Sequence, residues 1–277
     1  MDQWQKWTSR EARSFVAIPR SSDDKYSRGV LGVIAGSDEY PGSAVLTCSA
    51  ALRTGIGMIR YFGSDKSQML VLNSCPEVVT QPGQVQAWTM GSGIDPAKLD
   101  IAREALIEET LSLGIPFLLD AGALDFVGRF HGPTLITPHY RELARLLSRA
   151  GSKVSGDEIQ KNPRAWCIRA SHELNVCVLL KGSRTLVSNA DQLIELPISS
   201  PWMATAGTGD VLAGIIGALI ASQSTKVSSD PRALAEIAAT GALIHSEAAK
   251  RASRGGPISA SDITSQIPAA IRELISS

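Results

Sequence analysis

The sequence predicts an α/β fold, with a mainly parallel central sheet flanked by helices on both faces. Short runs rich in Val, Ile and Leu alternate with longer helical patterns along almost the whole chain, the order expected when each strand returns through a helix. Several of these runs are apolar at nearly every position, as strands covered on both faces must be. The 277 residues, 44% of them apolar, can bury a substantial core, and α/β chains of this length often fold as one domain.

In chain order, the apolar runs predict strands at 29–35, 58–62, 77–80, 86–90, 116–120, 134–137 and 176–181. The intervening periodic segments predict helices at 43–54, 97–113, 140–150, 162–174, 209–222, 231–251 and 261–274, the last opened by a Ser261/Asp262 cap signal. Residues 184–188 and 192–196 flank Asn189-Ala190-Asp191 and read as a hairpin that extends the sheet in antiparallel fashion. The small, polar segments 151–158 and 222–230 read as exposed loops.

Lys+Arg and Asp+Glu are equal at 27 each, so no global field draws the chain to nucleic acid or to an anionic membrane, and any phosphate affinity must be local. Cys48, Cys75, Cys167 and Cys177 form no C-x-x-C pair and read as reduced core residues. The N-terminus is polar, and the longest apolar run, 211–221, falls short of the ~20 residues that a membrane span needs. A cytoplasmic protein is expected.

The chemistry concentrates in Ala204-Thr205-Ala206-Gly207-Thr208-Gly209-Asp210-Val211-Leu212-Ala213-Gly214, a glycine-rich turn that runs into an apolar helix. Gly207 and Gly209 permit close backbone approach, and the N–H groups of Gly207, Thr208 and Gly209 at the helix start suit an anion. Asp210 at the same junction repels phosphate unless it is offset toward a second substrate or screened by a metal; otherwise it only complements the helix dipole. Ligands of open α/β sheets bind beyond the carboxyl ends of the strands, and polar residues gather there. Asp120 follows Phe117-Leu118-Leu119, His139 follows Thr137-Pro138, and Lys181 precedes Gly182, Ser183, Arg184 and Thr185. The Lys181 segment is either a nucleotide cradle or a solvated turn. His139 is either a substrate contact or a helix cap, and Glu142 either caps the same helix or orients a magnesium-bound water. Ala35-Gly36-Ser37 with Tyr40-Pro41-Gly42-Ser43-Ala44, and Gly91-Ser92-Gly93, are further loops suited to ligand contact. None completes a dinucleotide fingerprint or a Walker lysine motif, which argues against a Rossmann dehydrogenase and a P-loop enzyme.

Taken together, these motifs resemble the ADP-dependent NAD(P)H-hydrate dehydratases, a branch of the ribokinase-like superfamily, over nearly the whole chain. Ala51-Leu52-Arg53-Thr54-Gly55-Ile56-Gly57 and Asp120-Ala121 belong to the same pattern. The Gly-Thr-Gly-Asp element is shared with the superfamily's vitamin and sugar kinases and identifies only the fold. The resemblance implies a substrate, NADH or NADPH hydrated on the nicotinamide ring, and a co-substrate, ADP, which becomes AMP and phosphate, with Mg2+ shielding the phosphates. It assigns Asp210 as general base, Lys181, Gly182, Ser183, Arg184, Thr185 and Gly209 to the adenylate, and Ser43, Ala44, Gly93, His139 and Asp210 to the hydrated dinucleotide; it names no metal ligand. Ser43 stands where alanine is frequent, and Gly91-Ser92-Gly93-Ile94-Asp95 lacks the usual proline. It further implies a homotetramer. Because the ribokinase-like pattern begins near Gly29, a single domain over 1–277, with its core at about 29–275 and no preceding epimerase domain, is expected to process one epimer, alone or beside a separate epimerase. The alternatives are a vitamin-precursor kinase, marked by a stable phosphorylated product, and an adenylate-sensing module, marked by binding without turnover.

Overall fold

The computed structural model describes residues 3–276 apart from 92, 96, 97, 190, 191 and 231. Its strands are β1 (Gln5–Lys6), β2 (Val30–Ile34), β3 (Met58–Tyr61), β4 (Ala87–Met90), β5 (Phe117–Leu119), β6 (Thr134–Ile136), β7 (Cys177–Leu180), β8 (Arg184–Asn189) and β9 (Gln192–Ile198). They form one sheet in the order β1-β9-β8-β7-β6-β5-β4-β2-β3. Within it only β8 runs antiparallel to its neighbours, as the hairpin expectation requires; two residues of that turn, 190 and 191, lie outside the described residues.

The helices are α1 (Ser9–Ala12), α2 (Pro41–Thr54), α3 (Asp65–Ser74), α4 (Ile101–Leu111), α5 (Tyr140–Arg149), α6 (Gly156–Lys161), α7 (Pro163–Leu174), α8 (Thr208–Ser222), α9 (Ser224–Ser229), α10 (Ala233–Ser253) and α11 (Ala260–Ser276). One buried apolar cluster joins α2, α8, α10 and α11 to one face of the sheet, and a second joins α4, α5 and α7 to the other. α8 is buried from Val211 to Ala221 and has no polar face, which explains its continuous apolar sequence. It presses so closely on α2 that a Cβ on Gly214 would stand 2.3 Å from the Thr47 carbonyl oxygen.

The structure corrects several expectations. Residues 77–80 are no strand: Val79 makes a single bridge to Arg60, exchanging bonds with Ile59 and Tyr61 beside the edge strand β3. Pro76 and Pro82, which lack amide donors, flank it. The predicted loop 151–158 contains the start of α6, where Ser155 and Glu158 form a capping box. Segment 222–230 contains α9, whose Val227 is buried. The final helix is capped by Ser259, not Ser261; Asp262 accepts from the Ser259 amide at 2.8 Å and from its hydroxyl at 2.7 Å. The helix expected from 97 is described from Ile101, with Asp100 as its cap, and that expected from 231 is described from Ala233; Ala97 and Pro231 themselves lie outside the described residues. Ahead of Gly29, Trp7, Ala12 and Phe15 join the core, and the Trp7 indole donates to Thr240 at 3.2 Å.

The chain leaves β2 for β3 on one side and leaves β4 for β5 on the other. This reversal opens a crevice above the carboxyl ends of β2 and β4, where ligands of open sheets lodge.

Candidate functional site

The candidate groups gather at the carboxyl ends of β5, β6 and β7. Lys181 leaves β7 with its amide bonded to the Pro138 carbonyl at 2.9 Å, which sets it beside His139. Its ammonium donates to Asp120 Oδ1 at 2.7 Å and lies 3.9 Å from Glu142 Oε2. Asp120 is buried, and the same oxygen accepts from Thr137 Oγ1 at 2.8 Å. Burial by itself favours the neutral amine, but the carboxylates of Asp120, Glu142 and Asp210 outweigh it and hold Lys181 above its ordinary pKa.

The glycine-rich turn faces this pair. Gly207 caps α8 at φ +88°, a left-handed conformation that favours glycine, and a Cβ there would stand 2.6 Å from Leu46 Cδ1. The Thr208 hydroxyl is turned away, within reach of the Met203 and Thr205 carbonyls at 3.2 and 3.1 Å. The backbone N–H groups are therefore what opens the helix toward the site. A Cβ on Gly209 would lie 3.7 Å from both Asp120 Oδ2 and Lys181 Nζ, and one on Gly207 would lie 3.8 Å from Asp210 Oδ2. An ammonium, two carboxylates and a helix N-terminus thus share one small volume, where a phosphoryl group and a proton acceptor can meet.

His139 is the cap of α5: its Nδ1 accepts from the amides of Arg141 and Glu142, each at 3.2 Å, and Glu142 accepts from the His139 amide at 2.8 Å. Capping and substrate contact are compatible, because an accepting Nδ1 places the neutral ring's proton on Nε2. Gly182 lies under Tyr140, whose hydroxyl is 2.1 Å from where a Cβ would be. The Ser183 carbonyl accepts from the Ser199 amide at 2.9 Å, and Thr185 follows in β8. Arg184 is paired with the buried Glu195, which also accepts from Arg164 Nε at 3.0 Å. Burial raises the Glu195 pKa, but the two guanidinium groups prevail and hold it below the usual carboxylate range. Tyr140, Asn162, Arg164, Ser183, Arg184 and Leu186 line a cavity of about 390 Å³.

Ser43, Ala44 and Gly93 form a second group, above β2 and β4. Gly93 has φ +74°, and a Cβ on it would stand 2.5 Å from Ser43 Oγ. Ala44 is fully buried against Gly36, so its side chain is closed to ligand; Ser92 lies outside the described residues. This group adjoins the first, since a Cβ on Gly91 would meet the Asp120 carbonyl oxygen at 1.8 Å. The crevice here is a cavity of about 420 Å³, lined among others by Ser37, Tyr40, Gly93, Lys98 and Arg103. Both volumes lie within the range of small-molecule sites.

Sequence reasoning missed Glu195 and Arg103. Glu195 left a signal, a lone carboxylate within the apolar run Leu193-Ile194-Glu195-Leu196. Arg103, on a helix rich in charge, left none. His245, buried in α10 with Nε2 unpartnered among the described residues, was also unread; its pKa is pushed down to about 4 by burial and by the charge of Lys181.

Fold and site together define a ribokinase-like α/β protein with an anion-suited turn set against a lysine paired with a buried aspartate. The family model described as NAD(P)H-hydrate dehydratase matches residues 31–269, and the chain belongs to that family. It is 40% identical over 218 residues to the bifunctional NAD(P)H-hydrate repair enzyme Nnr of Mycobacterium tuberculosis, a match covering 74% of this chain and 43% of that protein. The chain thus spans less than half the length of that curated relative. It is 31% identical over 266 residues to the ADP-dependent (S)-NAD(P)H-hydrate dehydratase of Neisseria meningitidis, covering 89% of this chain and 84% of the relative. The fold superimposes with a TM-score of 0.82 at 23% identity on the Bacillus subtilis ADP/ATP-dependent NAD(P)H-hydrate dehydratase co-crystallized with ATP/Mg2+, over 97% of this chain and 98% of that one.

Proposed function

We propose that this protein is an ADP-dependent dehydratase that restores NADH and NADPH from the S-epimer of their hydrated forms, with release of AMP and phosphate. The observation that carries this reading is the placing of Asp210 in the first turn of α8, beside Lys181 and behind the Gly207 turn. Hydroxide is a poor leaving group. Asp210 takes the proton of the ring hydroxyl as its oxygen attacks the terminal phosphorus of ADP; the bond from that phosphorus to the bridging oxygen breaks, and AMP departs. The N–H groups of Thr208 and Gly209, with Lys181, hold the charge on the transferring group. The carbon–oxygen bond of the phosphate ester then breaks, phosphate leaving with the electron pair as the ring nitrogen pushes, and the adjacent ring carbon gives up a proton to water, which forms the carbon–carbon double bond of the reduced cofactor.

The adenylate occupies the side of Ser183, Arg184 and Thr185, and the dinucleotide the side of Ser43, Gly93 and His139. The donor set fits magnesium in a limited sense. Among the described residues no group of three or more potential ligands gathers, but Asp120 Oδ2 faces the phosphate turn, and magnesium is commonly held by one or two carboxylates plus substrate phosphates and water. Asp120 and Glu142 would hold it, and when bound it neutralises phosphate charge. Four buried free cysteines support a cytoplasmic setting, and no described helix is long and apolar enough to cross a membrane. The reading extends to a homotetramer served by a separate epimerase, checked by light scattering and by addition of an epimerase.

The test of the main reading is recovery of absorbance at 340 nm from hydrated NADH with magnesium and ADP, ATP or no nucleotide. Recovery that requires ADP and yields AMP and phosphate in equal amounts is expected. A stable phosphorylated product would instead mark a kinase, and adenylate binding without turnover a sensor.

A further inference from the structure

Among the described residues, the crevice above β2 and β4 holds a charged group whose bonding is incomplete. Arg103, in the first turn of α4, has a side chain only 13% exposed. Its Nη1 donates to the Gly36 carbonyl at 3.3 Å, and Nε lies 3.7 Å from Asp100 Oδ2. Nε and Nη2 are buried, yet among the described residues neither has a hydrogen-bond partner, a costly state for a guanidinium that must stay charged. The neighbouring ammonium is already engaged, since Lys98 pairs with Glu39 at 2.9 Å. Arg103 and Gly93 line the same cavity of about 420 Å³ at the point where the strand order reverses. From β4 to β7, which carries Lys181, is three strand positions, about 14 Å. An occupant that reacts beside Lys181 and also fills this crevice must be long, and its remote part must offer acceptors to a planar fork of donors, as phosphate does.

We propose that Arg103 binds the pyrophosphate of the hydrated dinucleotide, anchoring the half of the substrate that does not react. On binding, its unpaired donors turn to phosphate oxygens while Ser43 and Gly93 border the path to the reacting ring. This inference rests on the dehydratase reading for the identity of the dinucleotide. It makes Arg103 a binding residue, remote from the reacting atoms.

The experiment compares the wild type, Arg103→Gln and Arg103→Lys on hydrated NADH and on hydrated reduced nicotinamide riboside, which carries no phosphate. NADH binding is measured beside them by calorimetry. Loss of a charge-assisted bond predicts that Arg103→Gln raises the KM for hydrated NADH roughly 10- to 150-fold. The kcat, the ADP affinity and the riboside kinetics should stay within about twofold, and Arg103→Lys should recover part of the loss. An equal penalty on the riboside, or a loss confined to ADP, overturns the inference. If the wild type repairs no hydrate, the dehydratase reading fails by itself. NADH affinity then decides for Arg103: a fall in Arg103→Gln sustains its role, and no change refutes it.

Discussion

Lys181 pairs with Asp120 in this structure and binds the nucleotide in the proposed function, and the two roles can be separated. Its ammonium is 2.7 Å from the buried Asp120, whose side chain is 5% exposed. Replacing Lys181 by Met leaves that carboxylate, among the described residues, with the Thr137 hydroxyl at 2.8 Å as its side-chain hydrogen-bond donor. Breaking one partner out of a buried pair costs roughly 3–5 kcal/mol. Lys181 is itself 24% exposed, so water softens the loss and the lower end, about 3 kcal/mol, applies. For a chain of this size that lowers the melting temperature by roughly 6–12 °C. Adding Asp120→Asn removes the stranded charge while keeping a partner for Thr137, and the double variant should regain most of the stability. With magnesium in excess, so that the phosphate charge is already screened, it should not regain nucleotide affinity, because the cation is still missing; both variants should then bind ADP roughly 10- to 150-fold more weakly than wild type. Thermal melts and ADP calorimetry on the three proteins make the test. A double variant with restored ADP affinity, or a single variant as stable as wild type, would refute the reasoning.

Asp210→Asn should cut turnover by at least ~100-fold, as for loss of a general base, with a stability change of only about 0.3–1 kcal/mol from its place in the first turn of α8; near-normal turnover in rapid-quench measurements of AMP would remove it from that role. Gly207→Ala forces a side chain into φ +88° and against Leu46, so a loss of roughly 1–3 kcal/mol in urea melts is expected, together with weaker ADP binding. His245 titrates at about 4 in the folded chain and near 6.5 unfolded, so the unfolded state takes up the proton first and stability falls as pH drops through this window. Between pH 8 and pH 5 that amounts to about 2 kcal/mol, and the urea midpoint of His245→Asn should lose this part of the slope.

How much was legible depends on how local each cause is. The parallel strands could be read because β5 and β7 are buried on both faces and carry only apolar residues. Helix α6 was equally readable from Ser155 and Glu158, but the small, polar composition of 151–158 reads as a loop when the cap signal is passed over. The 77–80 error came from judging Val78-Val79 by composition, when the flanking prolines decide whether a ladder can continue. In the site, Asp120, His139, Lys181 and Asp210 announced themselves at strand and helix ends. Their pairing did not, because the 2.7 Å contact joins residues 61 positions apart and depends on strand order. Arg103 was invisible for the same reason: only the fold turns a charged helix residue into the lining of a crevice.

The charge around the phosphate turn carries one further consequence. Lys181 faces Asp120, Glu142 and Asp210, so the helix N-terminus and one ammonium stand against three carboxylates. ADP brings more negative charge to a partly desolvated place, where like charges repel strongly. Two remedies exist: a carboxylate takes up a proton, or a cation arrives with the nucleotide. The Lys181 ammonium, 2.7 Å from Asp120 Oδ1 and 3.9 Å from Glu142 Oε2, is already shared between carboxylates, which favours the second. The nucleotide should therefore bind as its magnesium complex. ADP affinity measured by calorimetry should fall at least ~10-fold when EDTA replaces magnesium, and the loss should shrink in Asp120→Asn, which removes one of the repelling charges. An affinity indifferent to magnesium in both proteins would mean that the backbone N–H groups and Lys181 alone suffice, and that the carboxylates point away from the bound phosphates.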